Sequence, residues 1–186
     1  MKHRGLCLLV LFAFALCAAP LHASKEDEMR AHFSKAVELQ KAGKLDGAVT
    51  EYREVLKLDP NAASALNNLG IIYIRQNQLK NAEIAFTRVL YKDPKNEFAL
   101  EQLAKLLVQS GKSSEAAKYA RKLLQVKPKD FDARYLLGLA YLHAEDYKSA
   151  IESLRSAVHV KPENEGALYN LGFAYKIGRA SCRERV

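Results

Sequence analysis

The chain has no tryptophan, and among its 186 residues only five prolines, nine glycines and three cysteines. Cys7 and Cys17 stand near the start and Cys182 near the end, so the body of the chain has no cysteine with which to build a disulfide framework. The glycines form no phosphate-cradling loop and no Gly-x-Ser-x-Gly elbow. His32, His143 and His159 are far apart, without a spaced set of Cys or acidic partners, whereas a metal site needs several convergent ligands. No catalytic, cofactor-binding or metal-ligating residue is expected. Charge is also weak where it counts. The formal +8 loses two charges with Lys2 and Arg4 and two more with Arg179, Glu184, Arg183 and Arg185 at the other end, leaving +4 for residues 24–176. That mild excess argues against a nucleic-acid partner. No Asn-x-Ser/Thr acceptor occurs, in keeping with a bacterial setting.

What is present is a period. Pro60, Pro94, Pro128 and Pro162 follow one another at intervals of 34 residues. A fixed period in the range of about 20–50 residues marks a solenoid rather than a single globular core. With each proline at position 32, the units are 29–62, 63–96, 97–130, 131–164 and a partial 165–176. Position 8 holds Ala36, Gly70, Ala104, Gly138 and Gly172, and position 20 holds Ala48, Ala82, Ala116 and Ala150. Positions 4, 7, 8 and 11 form one helical stripe, and positions 20, 24 and 27 form another. Between them, position 15 carries Gly43, Asn77 and Gly111, residues that tolerate the left-handed end of a helix; Glu145 is the exception. The proline stops the second helix, and Asn96, Asp130 and Asn164 are the expected N-caps of the helices that follow. Each unit therefore reads helix–turn–helix, with small residues at positions 8 and 20 letting its two helices approach.

Leu69-Gly70, Leu137-Gly138 and Leu171-Gly172, followed by Tyr73, Tyr141 and Tyr175, the alanine column and the closing prolines, resemble the tetratricopeptide repeat family. The resemblance covers residues 29–176 without insertion. It implies an all-α, right-handed superhelical solenoid of four complete units plus the first helix of a fifth. Unit one departs from the pattern, with His32 at position 4 and Lys35 at position 7, as suits a terminal unit.

The ends read differently. Residues 1–23 are expected to be a secretory signal: Lys2, His3 and Arg4 precede an apolar run from Leu6 to Ala19, with a small residue before Ser24. That run is shorter than the roughly 20 residues of a spanning helix, though an uncleaved membrane anchor remains the competing expectation. Export points to an extracytoplasmic location, the bacterial periplasm first, with no membrane span once the signal is removed. Residues 24–28 are a charged lead-in whose acids suit a helix N-terminus. Residues 177–186 break the period. They resemble the translation of a common sequencing adapter and are expected to be a non-native tail, the alternative being a natural divergent one.

In the related family the second face of each first helix, at positions 2, 5, 9 and 12, lines a concave peptide groove. On this resemblance the candidate peptide-binding residues are Phe33, Val37, Asn67, Ile71, Ile74, Phe98, Glu101, Lys105, Tyr135, Leu139, Leu142, Tyr169 and Phe173, with Arg75 and His143 at position 13 on one edge. Such an apolar face suits an extended or helical segment of a partner; the competing expectation is that the side chains at 9 and 12 pack against the next unit. The acid-tail clamp of some relatives, Lys at position 5 with Asn at position 9, is absent, because Phe33 and Val37 stand there in unit one and Asn67 and Ile71 in unit two. The expected function is a non-enzymatic scaffold for a protein or peptide partner. Two alternatives are the repeat region of a longer transferase, protease or kinase, and self-association through Tyr169, Phe173 and Tyr175 on an unpaired fifth first helix.

Overall fold

A computed structural model describes residues 24–183, with side chains to Arg179. The expected signal, residues 1–23, and the last three residues lie outside the described residues. Among the described residues there are nine helices and no strand: α1 (Lys25–Lys41), α2 (Leu45–Leu58), α3 (Ala63–Arg75), α4 (Leu79–Lys92), α5 (Glu97–Gln109), α6 (Ser113–Val126), α7 (Phe131–His143), α8 (Tyr147–Val160) and α9 (Glu165–Arg183). Each helix packs on the next in sequence, and α5 also meets α7. This is an all-α tetratricopeptide-type solenoid, two helices to a unit.

The turns follow the period closely. Gly43, Asn77, Gly111 and Glu145 all adopt positive φ, at 73°, 58°, 71° and 59°. In each turn the next amide reaches back to the carbonyl of position 11: Lys44 to Leu39, Gln78 to Tyr73, Lys112 to Leu107 and Asp146 to Tyr141, at 2.7–2.9 Å. These bonds satisfy carbonyls that the helix end would otherwise orphan. Glu145, the exception in residue type, makes the same turn as the glycines and Asn77. Its cost is steric, because a side chain in the left-handed region crowds the carbonyl oxygen. Glu145→Gly is therefore expected to stabilise the array by about 1 kcal/mol, read as a higher melting temperature; a lower one would contradict this account.

The next helices begin as the residue types require. The side chains of Asn96, Asp130 and Asn164 accept from the amides of Ala99, Ala133 and Ala167 at 3.1, 2.8 and 2.9 Å. Ser24 does the same for Asp27, whose carboxylate accepts in return from the Ser24 amide. Through this capping box the charged lead-in becomes the first turn of α1, four residues ahead of Met29. At the other end α9 runs on past Lys176 to Arg183, with no left-handed residue among the described residues of that stretch.

Within a unit the two helices meet through the small columns. Ala48, Ala82, Ala116 and Ala150 have no solvent exposure. A Cβ on Gly70 would lie 2.5 Å from the Phe86 ring, and one on Gly138 2.6 Å from Leu154. Position 8 is thus the slot for the large side chain at position 24. Unit three uses small residues at both places, Ala104 and Ala120, each fully buried. The main core runs from Ala36 to Ala140 as one seam, followed by two smaller clusters around Ala157–Ala167 and Leu154–Ala174.

Candidate functional site

The first helices, α1, α3, α5, α7 and α9, carry every candidate residue. On α1, Phe33 and Val37 are half-buried, and the Phe33 ring meets Tyr52 edge-on at 5.5 Å. On α3, Asn67, Ile71 and Ile74 are half-buried and Arg75 is exposed. The Asn67 Oδ1 atom is buried with no hydrogen-bond partner among the described residues. On α5, Phe98 is exposed, its ring edge-on to Phe86 at 6.4 Å. Glu101 and Lys105 pair with each other one turn apart, so this stretch presents no net charge.

On α7, Tyr135, Leu139 and Leu142 are half-buried and His143 is exposed. Tyr135 stacks on Phe131 at 5.8 Å, and its hydroxyl accepts from Asn170 of α9 at 2.9 Å. On α9, Tyr169 and Phe173 are exposed. The set therefore divides. Val37, Ile71, Ile74, Leu139 and Phe33 lean on the main core, and Val108 at position 12 is buried. Phe98, Tyr169 and Phe173 stand open. Lys41, Arg75, Gln109 and His143, one per unit at position 13, are all exposed along an edge.

Unit one's departures also acquire a reason. His32 and Lys35 do not form a weak apolar stripe. His32 Nδ1 lies 2.7 Å from Glu51 Oε2, and Lys35 Nζ lies 2.7 Å from Glu51 Oε1. Glu51 is only 9% exposed. The hydrogen bond from Lys35, then that from His32, hold its carboxyl below the usual carboxylate range against the opposing effect of burial. His32 is thus a partnered residue of the α1–α2 seam, not a lone surface histidine. A buried carboxylate needs such partners.

A second set of contacts recurs between units. Arg53 donates to the Tyr73 hydroxyl at 3.3 Å, and Arg121 to the Tyr141 hydroxyl at 2.8 Å. The signal was in the period: position 25 is Arg where position 11 of the next unit is Tyr, and the pair is Thr87 and Leu107 where it is not. Arg155 and Tyr175 continue the series, lining one open groove beside α8 and α9.

Among the described residues no group of three or more His, Cys, Asp or Glu is placed to hold a metal ion, and no helix is long and apolar enough to cross a membrane. Family profiles described as Tetratricopeptide repeat match residues 63–96 and 101–175, and one described as TPR repeat matches residues 36–77. The chain belongs to the tetratricopeptide repeat family. No curated protein matches the chain in sequence. Among solved structures, this tetratricopeptide repeat chain is similar to MamA 41-end from Desulfovibrio magneticus RS-1, with TM-score 0.78 and 24% identity over 82% of this chain and 86% of that one. It is similar too to a tetratricopeptide repeat protein from Parabacteroides merdae, with TM-score 0.76 and 24% identity over 82% and 61%. A third is YrrB, described as a TPR protein with an unusual peptide-binding site, with TM-score 0.73 and 23% identity over 83% and 81%. At these identities the likeness is one of fold.

Proposed function

We propose that this chain is a non-enzymatic protein–protein interaction scaffold that holds a peptide or protein segment along the face of its first helices. The observation that carries the reading is the row of aromatic side chains left open there: Phe98 is 43% exposed, Tyr169 73% and Phe173 45%. Folding has not covered them, and a partner's apolar residues would. The half-buried Ile71, Ile74, Leu139 and Leu142 form the floor, and the exposed Arg75 and His143 stand on the edge. The buried Asn67 Oδ1, without a hydrogen-bond partner among the described residues, adds an acceptor that a ligand amide would satisfy. A peptide-binding site is also named for YrrB, of the same fold.

The test uses peptides selected on the chain from a displayed random library. Phe98→Ser with Phe173→Ser is expected to weaken the selected peptides at least tenfold while the circular dichroism spectrum stays that of the parent helical fold. These two are preferable to Tyr135, whose hydroxyl ties α7 to α9. Undiminished affinity would place binding elsewhere and reject this face.

The proposal includes export, to the bacterial periplasm. Its support is the basic start at Lys2 to Arg4 and the apolar run from Leu6 to Ala19. Mature protein beginning at Ser24 is the expected result of N-terminal sequencing; a retained Met1 start in the exported pool would count against cleavage.

A further inference from the structure

The second helices carry a recess of their own. Between α2 and α4 lies an open groove of about 200 Å³. Its lining includes Leu56, Leu66 and Leu69, together with Arg53, Ile84 and Arg88. Both arginines are exposed. Each head is steadied by one hydrogen bond: Arg53 donates to the Tyr73 hydroxyl at 3.3 Å, and Arg88 to the Pro60 carbonyl at 2.6 Å. A guanidinium has five N–H donors, so both keep donors to offer. Among the described residues neither has a carboxylate partner. The acid next to Arg53, Glu54, is held by Lys57 at 2.7 Å, and the one acid of α4, Glu83, by Lys112 at 2.8 Å.

The period shows that this charge is not a requirement of the fold. Asn81, Ile84 and Arg88 stand at positions 19, 22 and 26. The same places hold Glu115, Lys118 and Lys122 in unit three, and Ser149, Glu152 and Ser156 in unit four. Each of those sets contains an acid, whereas the groove between units one and two is lined by two arginines and no acid. Its surroundings are also apolar beyond what packing needs. Ile84 is 59% exposed, and Tyr91, two turns further along the same face of α4, is 80% exposed.

We propose that this groove docks an acidic peptide segment of a partner protein, one in which Asp or Glu adjoins Leu or Phe. The carboxylate meets the two guanidinium forks, whose planar donors match it in geometry as well as charge. The apolar neighbour lies over Leu56 and Ile84. The recess favours a peptide over a lipid surface, because Leu66 and Leu69 are buried at its base, where a side chain reaches and a flat bilayer does not. Charge complementarity of this kind fixes which partner is accepted and speeds its arrival. The site lies on α2 and α4, apart from the first-helix face of Phe98 and Phe173, and stands or falls separately from the reading proposed for that face.

The probe comes from a displayed library of dodecapeptides restricted to Asp, Glu, Leu, Phe, Ser and Gly, selected on the full chain. The strongest clone is made as a labelled peptide and titrated by fluorescence anisotropy. Saturable binding that weakens as salt is raised is expected. Arg53→Gln with Arg88→Gln should weaken it tenfold or more. Ile84→Ser, at an exposed position, should weaken it severalfold with the helical circular dichroism spectrum unchanged, which separates a lost site from a lost fold. Phe98→Ser with Phe173→Ser should leave it unchanged. No saturable clone, or equal affinity in the arginine variant and in Ile84→Ser, would overturn the proposal. Binding lost with the two phenylalanines and kept without the arginines would assign the peptide to the first-helix face and overturn it as well. So would co-sedimentation with phosphatidylglycerol vesicles that the arginine variant loses, in the absence of peptide binding, since the surface would then belong to a membrane.

Discussion

Replacing Phe86 with alanine is expected to destabilise the array by about 3–5 kcal/mol. The ring has no solvent exposure, fills the slot at Gly70 and meets Phe98 of the next unit edge-on. Its loss leaves a cavity between α3 and α4 that a glycine cannot fill, and the transfer and cavity costs add. Stability in a stacked array is a sum over units and their interfaces, so a defect in unit two also weakens the coupling of its neighbours. Chemical denaturation measures the effect, and a loss below about 1 kcal/mol would mean the slot is loosely packed. A double-mutant cycle sharpens the result. Gly70→Ala is expected to be costly in the parent chain but tolerated in the Phe86→Ala background, because the added methyl then enters the space the ring has left.

The second large effect comes from the same column in unit four. Gly138→Leu is expected to cost about 1–3 kcal/mol. Its Cβ would lie 2.6 Å from Leu154 Cγ and 3.4 Å from the Leu154 backbone nitrogen, so α7 and α8 must move apart. Gly172→Leu is the internal control: the same substitution in the same column, where the added Cβ would meet nothing within 4 Å. Thermal denaturation should separate the two clearly. Equal effects would show that the column has no packing role and that the glycines serve only the local helix.

The period made the repeating parts readable and left the others obscure. The turns at position 15, the N-caps at Asn96, Asp130 and Asn164 and the close crossings at positions 8 and 20 each depend on a residue type with one local physical use, and all stand where the register puts them. Unit one was harder to read because an ion cluster replaces an apolar contact. His32 and Lys35 look like errors in a hydrophobic stripe until Glu51 is seen opposite them. The bounds of α1 and α9 lie outside the period, since Ser24 and the residues after Lys176 have no counterparts in the units between. The candidate face was legible as a list of residues, not as a degree of exposure. Whether Ile71 or Leu139 opens to a partner or leans on a neighbour depends on the angle between successive units. That angle is a sum of many side-chain volumes, and no single column records it.

The packing of each helix on its neighbour in sequence has a kinetic consequence. Every seam of the core joins stretches a few dozen residues apart, so contact order stays low as units are added. Chains of this kind close only short loops before their contacts form, and they fold in about microseconds to milliseconds. A hairpin such as α1–α2, with its own buried Ala36, Ala48 and Tyr52, offers a first nucleus as soon as it leaves the ribosome. Each later unit then condenses on a finished surface instead of waiting for a distant partner.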